Sequence, residues 1–137
     1  MFVWSKEYSV GVEEMDEQHQ HFLEIANEVL VLAAKAEVSK MELLEALGKF
    51  LNYALYHLET EEEYFKTFDC PQLGHLEAHN MFRERFKDLF IKVEQGSADG
   101  LREQAEAAAE FAGRWILQHI LVMDKGYTYC FHEHGLH

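Results

Sequence analysis

Apolar residues recur along this chain at steps of three and four, the period of helices that bury one stripe, and nowhere alternate over the length of a strand. Four such stretches can be read. The first follows Asp16, a good N-cap, and runs to about Lys35 with His19, Phe22, Ala26, Val29 and Ala33 on one stripe. The second starts at Ser39, with Glu42 three residues on as a capping box, and carries Leu43, Leu47, Phe50, Ala54, His57, Glu61 and Tyr64 in the register of a bundle seam. Pro71, the single proline, suits the first turn of the third helix, whose stripe is His75, His79, Phe82, Phe86, Leu89 and Val93 and which ends near Gly96. The fourth follows the turn at 97–100 and holds Ala105, Ala108, Ala112, Trp115, His119 and Val122, with Asp124 just beyond. Short connections favour antiparallel neighbours, so the predicted fold class is all-α, an up-down-up-down antiparallel four-helix bundle. The expected layout is one domain over 1–137, with an N-terminal extended arm (1–15), the bundle (16–124) and a C-terminal tail (125–137).

Polar residues interrupt these stripes in a pattern of their own. His57 with Glu61, and His75 with His79, are i, i+4 pairs, which a helix presents on one face a single turn apart. An isolated pair of this kind means little; two pairs flanking a helix break are harder to dismiss. Polarity sharpens the point. His19 lies early in the first helix, His57 and Glu61 late in the second, His75 and His79 early in the third, and His119 and Asp124 late in the fourth, so an up-down-up-down bundle brings all of them to one end. Five imidazoles and two carboxylates exceed the four ligands of a zinc site and suit two metal ions, with imidazole plus carboxylate favouring iron. His119 and Asp124 stand at i, i+5, about 140° apart on a regular helix. A carboxylate approaching from the side, or a local π-type turn, would reconcile them.

Composition narrows the partners. Lys and Arg number 12 against 25 Asp and Glu, a formal net charge of −13 that repels phosphate backbones and anionic membranes, so no nucleic-acid partner is expected. The N-terminus has no apolar core of signal-peptide length and no run reaches membrane-spanning length, which predicts no membrane insertion, a cytoplasmic location and a monomer. Cys70 and Cys130 form neither a disulfide framework nor a CxxC site, and reduced thiols are the expectation. His132, His134 and His137 read as a solvated end, His21 as solvent-facing, and Glu59, Glu62 and Glu63 as charged surface.

With these residues in view, the chain resembles the hemerythrins, specifically the bacterial hemerythrin-like domains. The likeness covers nearly the whole chain: Trp4 and Tyr8-Ser9-Val10-Gly11-Val12 in the arm, Met15-Asp16-xx-His19, His57-Leu58-xx-Glu61-Glu62, His75-xxx-His79-xx-Phe82, and Trp115-Ile116-xx-His119-Ile120-xxx-Asp124. Leu58 stands where the family usually has Phe, and Gly126 where a charged or bulkier residue is commoner. The resemblance implies that His75, His79 and His119 hold one iron, His19 and His57 the other, and that Glu61, Asp124 and an oxo or hydroxo group bridge the two ions. It further implies dioxygen as ligand at the five-coordinate iron, in a pocket lined by Phe22, Leu58, Trp115, Ile116 and Ile120.

Three functions follow from that expectation: a reversible dioxygen carrier or store, a diiron enzyme acting on oxygen, peroxide or nitric oxide, and an oxygen or redox sensor. Histidine outnumbering carboxylate five to two favours the first, a non-enzymatic role, because bundle oxidases draw on anionic donors that stabilise higher iron states.

Overall fold

The computed structural model describes residues 1–71 and 74–137. Four long helices carry the fold: α1 (Glu13–Ala34), α2 (Lys40–Phe68), α3 (His75–Gln95) and α4 (Leu101–Trp115). Helix α4 runs on without a break into a π-helical segment, Ile116–Met123, followed by a 3₁₀ turn over Asp124–Tyr127 and a short helix α5 (Thr128–Glu133). Among the described residues there is no strand. Helix α1 packs beside α2 and α4, and α3 beside the same two, which is the square arrangement of an antiparallel four-helix bundle.

Local chemistry sets most boundaries. Ser39 caps α2 as predicted: its hydroxyl accepts from the Glu42 amide at 3.1 Å while the Glu42 carboxylate accepts from the Ser39 amide at 3.3 Å, a box that contributes about 1 kcal/mol. Helix α1 starts at Glu13, four residues before the expected first residue Glu17, because Asp16 serves the arm instead of the helix. Its carboxylate accepts from the Ser9 hydroxyl at 2.5 Å and the Val10 amide at 2.8 Å, holding the arm against the first turn. Pro71 also falls outside the predicted place: α2 closes at Asp69 in the left-handed conformation (φ 52), and α3 begins only at His75.

The core has two parts. The larger fills the bundle with the predicted stripes, among them Phe22, Val29, Leu43, Leu47, Phe50, Phe82, Phe86 and Ala112. Phe50 touches both Phe86 (ring centroids 4.9 Å) and Phe22 (4.9 Å), so one ring ties three helices together. The smaller part was not legible as a stripe. Val10, Val12 and Met15, Phe65 from the end of α2, and Tyr127 and Phe131 from the tail bury one another beyond the bundle end.

The tail is therefore docked on the arm, while the side chains of His134 and His137 stay exposed as expected. His132 Nε2 lies 2.7 Å from the Gly11 carbonyl, His134 stacks on Phe68 at 4.8 Å, and the Thr128 hydroxyl donates to the Val10 carbonyl. Gly11 is needed there: its φ of 73 is left-handed, and a Cβ would meet Thr128 Cγ2 at 3.3 Å. The expectation of reduced thiols is also overturned. Cys70 and Cys130 form a disulfide with Cα atoms 6.0 Å apart, because the docked tail brings together two residues that are 60 apart in sequence. Sequence distance alone concealed the pairing. No helix among the described residues is long and apolar enough to cross a membrane.

Candidate metal centre

Between the two apolar parts lies a polar layer. His19, His57, Glu61, His75, His79, His119 and Asp124 are all buried there, the seven residues that the spacing singled out. Helix α1 supplies His19, α2 supplies His57 and Glu61, α3 supplies His75 and His79, and the π segment with its following turn supplies the last two. The π geometry accounts for the i, i+5 spacing: the Asp124 amide donates to the His119 carbonyl, five residues back, and the wider turn brings both side chains inward. It also rotates Val122, predicted to be on the buried stripe, out to 69 % exposure.

The donors fall into two groups that share the carboxylates. Glu61, His75, His79, His119 and Asp124 can offer ligand atoms within 4.8 Å of one another, and so can His19, His57, Glu61 and Asp124. Each carboxylate divides its oxygens between the groups. Glu61 Oε1 lies 3.0 Å from His57 Nε2 and 3.6 Å from His19 Nε2, while Oε2 lies 3.3 Å from His79 Nε2 and 3.6 Å from His75 Nε2. Asp124 Oδ2 lies 3.0 Å from His19 Nε2, and its Oδ1 lies 2.8 Å from the Nε2 atoms of both His75 and His119. All five imidazoles thus point Nε2 inward.

Polar atoms this deep normally find hydrogen-bond partners, yet Glu61 Oε2 and Asp124 Oδ2 have no aligned donor, close as the His79 and His19 rings stand to them. Ring nitrogens also crowd one another, with Nε2 of His19 and His57 3.1 Å apart and Nε2 of His79 and His119 3.0 Å apart. Unpartnered anionic oxygens facing convergent lone pairs are what two cations would satisfy, and the donor set fits such a group. Without cations, protons do the neutralising. Burial pulls the His19 and His75 imidazoles down, but Asp124 and Glu61 outweigh it and raise both to about 9. Burial pushes the Glu61 and Asp124 carboxyls up; the surrounding imidazoles outweigh it, despite repulsion between the two carboxylates at Asp124, and hold both well below their usual range.

Three supporting residues escaped the sequence reading. Glu62, expected on the charged surface, places Oε2 2.7 Å from His79 Nδ1 and is held there by Arg83 at 2.8 Å. Gln18 Oε1 lies 2.8 Å from His57 Nδ1, and the Tyr127 hydroxyl donates to Glu61 Oε1 at 3.0 Å. An acceptor on Nδ1 fixes that proton on the outer nitrogen and leaves the Nε2 lone pair for the centre. Only their adjacency to Glu61, His19 and Asp124 in sequence could have flagged them.

Of the five expected pocket residues, Phe22, Leu58, Ile116 and Ile120 are fully buried against this layer's bundle side. Phe22 meets the His57 ring edge-on at 5.8 Å. Trp115, half-buried, packs against the same apolar cluster and stacks on His119 with centroids 4.0 Å apart.

A bundle whose inner layer wraps five imidazoles around two shared carboxylates defines a helical protein that fits a dinuclear metal centre. The chain belongs to the hemerythrin family: residues 10–128 match the Hemerythrin HHE cation binding domain, and the family binds a non-heme diiron centre. It is 28 % identical over 130 residues to a protein named Bacteriohemerythrin from Clostridium acetobutylicum, covering 93 % of this chain and 98 % of that one. The Bacteriohemerythrin of Stenotrophomonas maltophilia is 24 % identical, covering 93 % of this chain and 80 % of its own, and a Hemerythrin-like protein of Naegleria gruberi is 26 % identical, covering 92 % and 90 %.

Proposed function

We propose that this chain binds dioxygen reversibly at a diiron centre held by His19, His57, Glu61, His75, His79, His119 and Asp124. The observation that carries this reading is the unequal division of donors, five residues on one side and four on the other, around carboxylates shared by both. Two ferrous ions held by these residues would supply the electrons for reversible dioxygen binding.

The chain's own residues then do three things. Glu61 and Asp124 fix the separation of the two cation positions, each by facing one oxygen to either side. Gln18 and Glu62 orient His57 and His79 through their outer nitrogens. Phe22, Leu58, Ile116 and Ile120, with no polar side-chain atom among them, exclude water and stray proton donors, which protects a reversible complex from hydrolysis and favours release over catalysis. The predominance of imidazole over carboxylate likewise favours a carrier or store over an oxidase.

The test is spectroscopic. Reduced without air and then mixed with it, the iron-loaded protein should develop a visible absorption band that fades when oxygen is stripped away and returns when oxygen is restored, over many cycles. A band that disappears after one cycle while a reductant or organic substrate is consumed catalytically would replace the carrier with an enzyme.

A further inference from the structure

Between α3 and α4 a groove of about 580 Å³ opens on the outside of the bundle. Its size lies within the range of small-molecule sites. Its walls are unlike in their two halves. Toward the metal layer they are aromatic: Phe111 and Trp115 lie over the buried Phe82 ring, 5.7 Å and 4.6 Å from it. Phe111 and Trp115 are only half-buried, so part of each ring faces the groove. Away from the metal layer the groove passes Arg85 and then Lys92, two turns further along α3.

Charge distinguishes this surface from the rest of the molecule. On a chain of formal net charge −13, the groove carries Arg85, Lys92 and Arg114 against Asp88 and Glu110, a local excess of one positive charge (three minus two). Arg114 is committed to Glu110 at 2.6 Å, whereas among the described residues Arg85 and Lys92 have no carboxylate within 4.0 Å. Two exposed cations without an ion-pair partner, at the end of an aromatic trough, complement a molecule that is flat and apolar at one end and anionic at the other.

We propose that this groove is a second ligand site, for a planar heteroaromatic molecule bearing a phosphate or carboxylate, with its ring against Phe111 and Trp115 and its anion on Arg85 and Lys92. The inference is independent of oxygen binding, since neither cation belongs to the metal layer. It has a consequence for that layer all the same: the ring would rest on Trp115, which stacks on His119.

Flavin mononucleotide is a suitable probe, titrated calorimetrically into the iron-loaded protein beside riboflavin and inorganic phosphate. Expected is one saturable site for the mononucleotide in the micromolar range, binding of riboflavin weaker by about tenfold or more for want of the anion, and no detectable binding of phosphate alone. The double variant R85Q/K92Q should weaken mononucleotide binding by about tenfold while leaving the melting temperature and the visible spectrum of the metal centre unchanged. Absence of saturable binding up to about 1 mM, equal binding of riboflavin and mononucleotide, or full binding by R85Q/K92Q would each overturn the proposal.

Discussion

On one side of the Glu61 and Asp124 pair, three imidazoles come from α3 and the π segment; on the other, two come from α1 and α2. The three-histidine side is braced by charge and by stacking. His79 leans on the Glu62 carboxylate, itself pinned by Arg83, and His119 lies flat against Trp115. The two-histidine side is braced by a neutral amide, Gln18; each side also has one Nδ1 without a partner, His19 here and His119 on the other. A carboxylate behind an imidazole raises its basicity and its hold on a cation more than an amide does. The same layer thus contains one side with more donors, braced by a charged partner, and another with fewer donors, braced by a neutral one.

The largest effect that would test this asymmetry comes from the shared residues. Glu61→Ala removes an oxygen from both sides and should abolish most of both irons, whereas His57→Ala should leave about one iron per chain in the three-histidine side. Elemental analysis after iron-replete expression reads the difference; equal loss in the two variants would mean that the sides do not bind separately. Metal removal comes next. At free iron about 1,000-fold above its dissociation constant, binding stabilises the fold by about 4 kcal/mol, which corresponds to roughly 15 °C in melting temperature for a chain of this size. Hydrogen exchange in the metal-free protein should rise around His57 and His79 while the amides near Phe50 stay protected, and uniform loss of protection would contradict a locally held layer.

Acidity should then separate the metal-free from the metal-loaded protein. His19 and His75 are raised from 6.5 to about 9 in the folded, metal-free chain, so the stability they contribute is full below pH 6.5 and is lost as pH rises through 9. Metal must displace those protons, so its binding strengthens over the same interval. The gap in melting temperature between loaded and metal-free protein should widen from pH 6.5 to 9; a constant gap would show that protons and metal do not compete. Smallest are the outer partners. Glu62→Gln should weaken metal retention on the three-histidine side by about tenfold or more, and Gln18→Ala should have a lesser effect on the other, both read as rates of iron loss to a chelator. A larger effect for Gln18 would reverse the ranking of the two sides.

How much of this was legible depends on whether a signal repeats along one helix. The stripe through Leu43, Leu47 and Phe50 and the pairs His57/Glu61 and His75/His79 are periodic, and both the bundle and the seven-residue layer follow from them. The i, i+5 step from His119 to Asp124 announced the π segment, but the same step misplaced Val122, because one widened turn shifts everything after it. Glu62 was read as surface because it is rotated one residue from Glu61; its role depends on how closely α3 approaches, which periodicity does not report. The arm and tail carry no repeat, so the smaller apolar core, the Tyr127 hydrogen bond and the Cys70–Cys130 bond were invisible until the chain ends met.

That covalent bond has a topological meaning. It closes residues 70–130 into a ring, and the ring contains His75, His79, His119 and Asp124 but excludes His19, His57 and Glu61. The three-histidine side is therefore fastened within one loop of chain, while the two-histidine side is threaded onto it from outside. When the oxidised chain unfolds, the members of the first side remain tethered within a bounded volume and those of the second disperse on an open strand. A cut at the 97–100 turn would leave both halves of the bundle joined through sulfur.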